Sequence, residues 1–443
     1  MTILVLMWLA VAAGLVFWRW HLGRGLGLVV AFVVSLSSLH FLAATLYVLP
    51  WYAGLDRDFI QVGLFIALEG LLGFAIGAFV MSLTLQSEMA STPVDSPPQL
   101  QAGLLYLGGG LALYTVVRAG VSGIPSIGAI AAGGSALIVF GLCLECWQVS
   151  RGRQIFWLLA SATLPFITIL TQGYLSYGIA ALVMIFAFVA EHARPRWMLL
   201  AGGLLVGYVT MSFYVTYMRD RNDIRDAVWN GASATERVSV VGRTLATIEP
   251  FDPLNNAHLT RVDDRLNQDY LVGRAEAWLG QGYAPFGRGS TIADAVLALV
   301  PRMLWPDKPM AAGSGDLVSQ YTGMTFGPDT SVGIGTILEL YVNFGSLGVW
   351  IGMAVFGAVL VLIDERAAFH LAHADVRRCC VWFVPGLSLL QVGGSLVDVS
   401  LTAGAGVIVA LLANASMSSV FPHALDMMAN PTAHDLTVGS EAQ

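Results

Sequence analysis

The chain has 443 residues, of which 56% are apolar and 12% charged, with a formal net charge of −7. Soluble domains carry roughly 25% charged residues, so this composition excludes an ordinary water-soluble fold and indicates a polytopic membrane protein. The acidic and basic residues occupy different connectors, so the net charge alone says little about partners.

A helical crossing takes about 20 predominantly apolar residues. Such runs lie near 2–18, 26–50, 59–84, 102–117, 128–147, 155–171, 173–190, 197–217, 344–363, 380–393 and 395–419, which predicts an all-α bundle of about eleven transmembrane helices. The first run is followed by Arg19, Trp20, His21 and Arg24 rather than by a small-residue cleavage site, so it is expected to stay as a membrane anchor. Arg118 interrupts an apolar stretch between two glycine-rich crossings, where an arginine is costly and therefore paired, functional or snorkelling to the interface.

Cys143 and Cys146 form a Cys-x-x-Cys, and Cys379 and Cys380 are adjacent. Small apolar fillers of helix ends explain both pairs better than a metal or redox site. Arginines in short loops set orientation, because Lys and Arg resist export. Arg19 and Arg24, Arg151 and Arg153, Arg194 and Arg196, and Arg366, Arg377 and Arg378 fall on alternate connectors, which are therefore expected to be cytoplasmic. The N-terminus and the long segment 218–331 then lie on the opposite face, with the C-terminus inside. The expected organisation is 1–217 (about eight spans), 218–331 (a large external loop region), 332–419 (about three spans) and 420–443 (a cytoplasmic tail).

Segment 218–331 holds half of the basic residues, including Lys308, the only lysine. It is not a plain linker. Val238, Val241, Leu245 and Ile248 recur at helical spacing, as do Leu259, Val262 and Leu266, which predicts short amphipathic helices at the membrane surface. His258 is the segment's one histidine and is expected at the surface rather than as a catalytic base. From Gly280 the chain is glycine-rich and then turns apolar at Ile292 to Val300. Ser290 or Thr291 can cap a helix there, and a loop feeding a helix N-terminus favours anions.

Arg274, Arg288, Arg302 and Lys308 share this segment, and Arg118 lies on a short connector of the same expected face. Guanidinium forks bind phosphate oxygens bidentately, so two or three together suit a diphosphate leaving group. Among acidic residues in apolar runs, Glu145 and Asp364 fall near cytoplasmic ends and need no special role. Glu69 and Asp398 are expected in polar pairs facing the bundle interior. Glu339 stands where the chain re-enters the membrane, either as a proton acceptor or as a salt-bridge partner of a nearby arginine. No Walker lysine motif, dinucleotide fingerprint or fixed-period repeat occurs.

At these residues the chain resembles a known group. Arg274-Ala-Glu-Ala-Trp278 followed by Pro285-Phe-Gly-Arg-Gly289 resembles the Arg-x-x-x-Trp and Pro-x-Gly-x-Gly pattern of the O-antigen ligase and polymerase superfamily. Pro301-Arg-Met-Leu-Trp-Pro-Asp-Lys-Pro309 and Glu339-Leu-Tyr-Val-Asn-Phe-Gly345 are similar to signatures of Wzy-type repeat-unit polymerases, and Gly313 follows Arg302 at the Arg-x10-Gly spacing of that family. Arg118 is followed by a glycine after nine residues rather than ten, and the ligase-type His-Asn is missing.

The resemblance implies a GT-C-like membrane glycosyltransferase in the bacterial inner membrane, working without metal or other cofactor. It would transfer a growing glycan from undecaprenyl diphosphate to a sugar hydroxyl of a new lipid-linked unit, with inversion. Arg118, Arg274, Arg288, Arg302 and Lys308 would hold diphosphate, with Arg302 and Glu339 catalytic. Trp278, Trp305, Tyr341 and Asn343 would meet sugar. Implied partners are the undecaprenyl-diphosphate-linked oligosaccharide, membrane lipids and a chain-length-regulating copolymerase, with no nucleic acid. An O-antigen ligase and a transporter or flippase of lipid-linked oligosaccharide are the alternatives.

Overall fold

The computed structural model describes residues 1–85, 100–120, 127–147, 150–192, 196–300, 305, 312–326 and 332–420, with backbone alone at 100–101, 118–120, 127, 129, 196–200 and 417–420. Arg302 and Lys308 lie outside the described residues, and so does the side chain of Arg118.

Every regular element among the described residues is helical. In chain order they are α1 (Thr2–Leu22), α2 (Leu28–Leu46), α3 (Arg57–Leu85), α4 (Leu100–Gly120), α5 (Ile127–Cys146), α6 (Arg151–Ser161), α7 (Leu164–Gln172), α8 (Ser176–His192) and α9 (Arg196–Trp229). Five shorter helices follow: α10 (Ala234–Ala246), α11 (Asn256–Leu266), α12 (Gln268–Gly280), α13 (Ser290–Ala298) and α14 (Ser314–Thr322). The chain closes with α15 (Thr336–Ala372), α16 (Val376–Gly386), a 3-10 turn (Leu387–Leu390) and α17 (Leu396–Val420).

Six stretches are long and apolar enough to cross a bilayer among the described residues, namely 2–22, 28–46, 57–85, 151–172, 336–372 and 396–416. The chain is thus a helical membrane protein, and the six fall short of the eleven expected runs. The run at 380–393 shows why apolar length misleads: it is an 11-residue helix containing Pro385, followed by a 3-10 turn. At 1.5 Å per residue that helix reaches about 16 Å, roughly half of the hydrocarbon core. α9 does not stop at the end of its apolar run but continues unbroken to Trp229.

The core is built on α3 against α15. A methyl group at Gly77 would overlap the Ala354 carbonyl, and one at Gly357 would overlap the Phe74 carbonyl. Small residues here let the two backbones touch, as in GxxxG helix pairs, and Gly73 with Gly77 supplies that spacing. α12 lies on α3 in the same way, since a methyl at Gly63 or Gly273 would meet the backbone of Asp269 or Phe59.

At the end of the bundle that holds the expected cytoplasmic loops, Arg19 is buried and pairs with Asp364 (3.2 Å) and Glu365 (2.6 Å). Asp364 also accepts the backbone N–H groups of Leu26 and Leu28, and Glu365 accepts the Ser82 hydroxyl. Asp364, which the sequence left without a role, thus ties α1, the start of α2 and α15 together.

α10 and α11 take up the two expected amphipathic stretches, with Val241, Leu259 and Val262 buried. Ile248 lies past the end of α10 and is exposed. His258, expected at the surface, is buried: its Nδ1 accepts the Asp252 N–H at 3.1 Å, leaving Nε2 to donate to Glu249 at 3.0 Å. Glu249 also receives Arg219 and Arg261. His258 first, and then Arg219, holds the Glu249 carboxyl below its ordinary range, and Arg219 does the same for Asp220.

Candidate functional site: a glycine loop docked on a broken helix

α15 is two helices joined at a break, where Phe344 (φ −141°) and Gly345 (φ 63°) leave helical geometry. Only glycine takes such a positive φ without strain. The break frees the last carbonyls of the first half, which need partners when buried. The glycine-rich loop provides them: Gly287 N–H donates to Val342 O at 2.8 Å and Arg288 N–H to Asn343 O at 3.2 Å. Gly289 N–H donates to Asn343 Oδ1 at 2.8 Å. Three successive amides therefore point at α15, so the loop is not an open amide nest for an anion.

Asn343 is the hub. It is buried, and its Nδ2 donates to Thr291 Oγ1 (2.8 Å) and to Glu339 O (2.7 Å). All of its amide hydrogen-bonding groups are engaged within the protein. The helix that follows the loop, α13, is capped by Gly289 (φ 90°), and neither Ser290 nor Thr291 makes a side-chain cap. Arg288 itself is held at φ 50°, a conformation uncommon for a residue with a Cβ. Its guanidinium is exposed and makes no ion pair among the described residues.

Glu339 is fully buried one turn before Asn343. Its Oε2 accepts the N–H of Leu396, the first residue of α17, at 2.7 Å, while Oε1 has no hydrogen-bond partner. The positive end of the α17 dipole thus faces the carboxylate. Ser395 and Asp398 complete that helix start as a reciprocal cap, with Ser395 Oγ donating to Asp398 Oδ2 (2.8 Å) and Asp398 N–H donating to Ser395 Oγ (3.1 Å). No arginine pairs with Glu339 among the described residues. Oε2 of Glu69 and Oδ2 of Asp269 are likewise buried without a hydrogen-bond partner.

The other expected residues spread around this point. Arg274 donates to Thr322 O at 3.2 Å and lies 5.5 Å from the Phe59 ring centroid. Trp278 packs on Gly323, where a Cβ would sit 2.6 Å from the indole, and its ring lies 4.4 Å from that of Tyr283. Trp278 is therefore largely enclosed, whereas Tyr283 is 63% exposed. Tyr341 is buried near Phe286, with ring centroids 6.4 Å apart, and Trp305 is exposed. The geometry joins Arg288, Asn343 and Glu339 through Asn343 hydrogen bonds, and Arg274 and Trp278 share α12 nearby.

The sequence missed two features of this region. Phe286 and Tyr283 are the exposed aromatics beside the loop. Asp269, on α12 with Arg274, pairs with buried His40 at 2.7 Å, and burial pushes its carboxyl up to about 6 against the pull of His40. The four cysteines are buried free thiols, and no group of three metal-ligating side chains occurs among the described residues.

Residues 282–372 match a family described as a domain of unknown function, DUF8712. The matched stretch begins at the glycine-rich loop and ends with α15, so it contains both sides of the docked contact. No curated protein and no solved structure matches the chain.

Proposed function

We propose that the chain is an inner-membrane glycosyltransferase that polymerises lipid-linked oligosaccharide units, moving the growing glycan from a polyprenyl diphosphate to a sugar hydroxyl of a new lipid-linked unit. The reading is supported chiefly by one observation. The two segments that resemble the polymerase signatures, Pro285 to Gly289 and Glu339 to Gly345, are hydrogen-bonded to each other across the break in α15. In this reading Arg288, with Arg274, Arg118, Arg302 and Lys308, neutralises the departing diphosphate. Glu339 accepts the proton of the attacking hydroxyl through its unpartnered oxygen, and Tyr283 and Phe286 join Trp278, Trp305 and Tyr341 as sugar-facing aromatics. Segment 218–331 and the N-terminus would face the periplasm, the C-terminus the cytosol, and the shorter helices would bring the crossings to about eleven.

A transporter of the same lipid-linked glycan is favoured by a different observation, since broken helices with buried carboxylates also mark transport sites. Purified protein in lipid nanodiscs, supplied with lipid-linked repeat units, separates the readings. A ladder of products supports polymerisation, single transfer to a lipid core means a ligase, and unchanged glycan means transport. Glu339→Gln keeps an acceptor for the Leu396 N–H and is expected to abolish the ladder while leaving the protein folded.

A further inference from the structure

The first eight residues of α15, Thr336 to Asn343, form a limb that folds back along the rest of that helix. A methyl group at Gly348 would meet the Leu340 carbonyl, and one at Gly352 the Leu340 side chain. In a straight helix Leu340 would lie about 12 and 18 Å from those glycines. From the other side Gly70 of α3 faces Ile337, Val349 and Met353 together. Every residue of the limb is buried, and Glu339 is its one carboxylate. None of the Glu339 surface is exposed, yet a proton acceptor has to come within hydrogen-bond reach of the hydroxyl it serves. One of its covers therefore has to move.

Two of the covers are fixed by backbone packing. α3 and the long part of α15 close on the limb through Gly70 and Gly348. α17 holds Glu339 Oε2 through the Leu396 N–H, and the stretch before it is pinned where a methyl at Gly333 would overlap the Gly393 carbonyl. The third cover is the glycine loop with Thr291 behind it, joined to the limb by the three amide hydrogen bonds and by Asn343 Nδ2 on Thr291 Oγ1. Its glycines meet side chains instead of backbone. A methyl at Gly287 would face the Tyr321 hydroxyl and Asn343 Oδ1, and one at Gly289 the tip of the exposed Phe344 ring. Gly282 (φ 77°) and Gly289 (φ 90°) bound the loop, in conformations that glycine enters freely and that suit hinges. Few buried contacts between two hinges make this the cover of lowest local stability.

We propose that loop 282–289 is a lid over the limb that carries Glu339, closed in this structure and lifted off Asn343 when the lipid-linked glycan binds. The exposed rings of Tyr283 and Phe286 are the part of the closed lid that a sugar meets first. The inference rests on the reading of Glu339 as the proton acceptor, and it gives a sign that simple covering does not. A ligand that settles on a closed loop slows the exchange of the amides beneath it, whereas a lid that lifts exposes them.

The test follows hydrogen exchange of the full chain in nanodiscs, with and without undecaprenyl-diphosphate-linked oligosaccharide, in Glu339→Gln so that the ligand is bound but not consumed. Protection of the amides of Gly287 to Gly289 is expected to fall at least about tenfold with ligand, while Ile337 to Leu340 keep theirs. Thr291→Cys gives a second readout that leaves Glu339 in place. Thr291 is buried behind the loop, so the introduced thiol should react with a soluble maleimide at least about tenfold faster with ligand, above the background of the four buried native thiols. Either change supports the lid. Protection that stays or rises at Gly287 to Gly289, together with an unchanged labelling rate at position 291, would overturn it. The lid and the reading beneath it fail separately. A full ladder from folded Glu339→Gln removes the proton-acceptor role whatever the loop does, and a static loop beside a ladder lost in Glu339→Gln removes the lid alone.

Discussion

Helix α9 and the loop beyond it carry two sets of arginines that a sequence cannot tell apart. Arg219 and Arg261 meet Glu249, with Asp220 and His258 completing a neutral network. Arg225, further along the same helix, lies against aromatic faces instead, with its guanidinium carbon 3.8 Å from the Trp229 ring centroid and 5.8 Å from that of Tyr174. A count of basic residues in 218–331 treats both sets alike, whereas the first is held by carboxylates and the exposed guanidinium of Arg288 makes no ion pair among the described residues. The availability of a guanidinium, rather than its presence, separates structural charge from binding charge.

The comparison is tested most severely at the buried extreme. Arg19→Ala would leave Asp364 and Glu365 in the core without their cation, an expected loss of about 3–5 kcal/mol in the unfolding free energy measured by denaturant titration in detergent. A loss below about 1 kcal/mol would show that the pair behaves like a surface one.

Asn343→Ala removes the hub between the loop and α15 and strands buried partners. A destabilisation of roughly 1–3 kcal/mol is expected, with faster hydrogen exchange at Gly287 to Gly289. Unchanged protection of those amides would mean that the loop is held by something else.

The neutral network has a pH signature. Glu249 and Asp220 titrate below their ordinary values in the folded chain, so the folded state binds fewer protons than the unfolded chain between the two sets of values. The stability they contribute is present above the ordinary carboxylate range and is lost as pH falls through the lowered folded values. The protection factors of amides in α10 and α11, taken relative to intrinsic exchange at each pH, should therefore fall on acidification below about pH 4.5. A profile flat down to pH 3 would contradict the network. The smallest effect is expected at Arg237→Ala, within about 0.5 kcal/mol of wild type by thermal unfolding.

Much of the architecture was legible because apolar runs and amphipathic spacing are local. α1, α2, α3, α10 and α11 all lie near their expected limits. The site was half legible: the loop and the Glu339 segment could be marked as motifs, but not their contact. Gly345 stands at the start of the expected run 344–363, whereas helix already begins at Thr336, and the break between the two only makes sense once the loop amides are seen to fill it. Arg19 with Asp364, and His40 with Asp269, are separated by 345 and 229 residues, beyond any periodicity. His258 was misplaced because its partner Glu249 becomes a neighbour only through the turn between α10 and α11.

The central claim is that Arg288, displayed by the loop docked on α15, acts on the diphosphate while Arg237, whose guanidinium bonds the Ala232 carbonyl, does not. The direct measurement is product length from purified Arg288→Ala and Arg237→Ala proteins given lipid-linked repeat units in nanodiscs. The account predicts a wild-type ladder from Arg237→Ala and a loss of at least about a hundredfold in product from folded Arg288→Ala, the scale of removing one preorganised charge from a transition state. A full-length ladder from Arg288→Ala would contradict it.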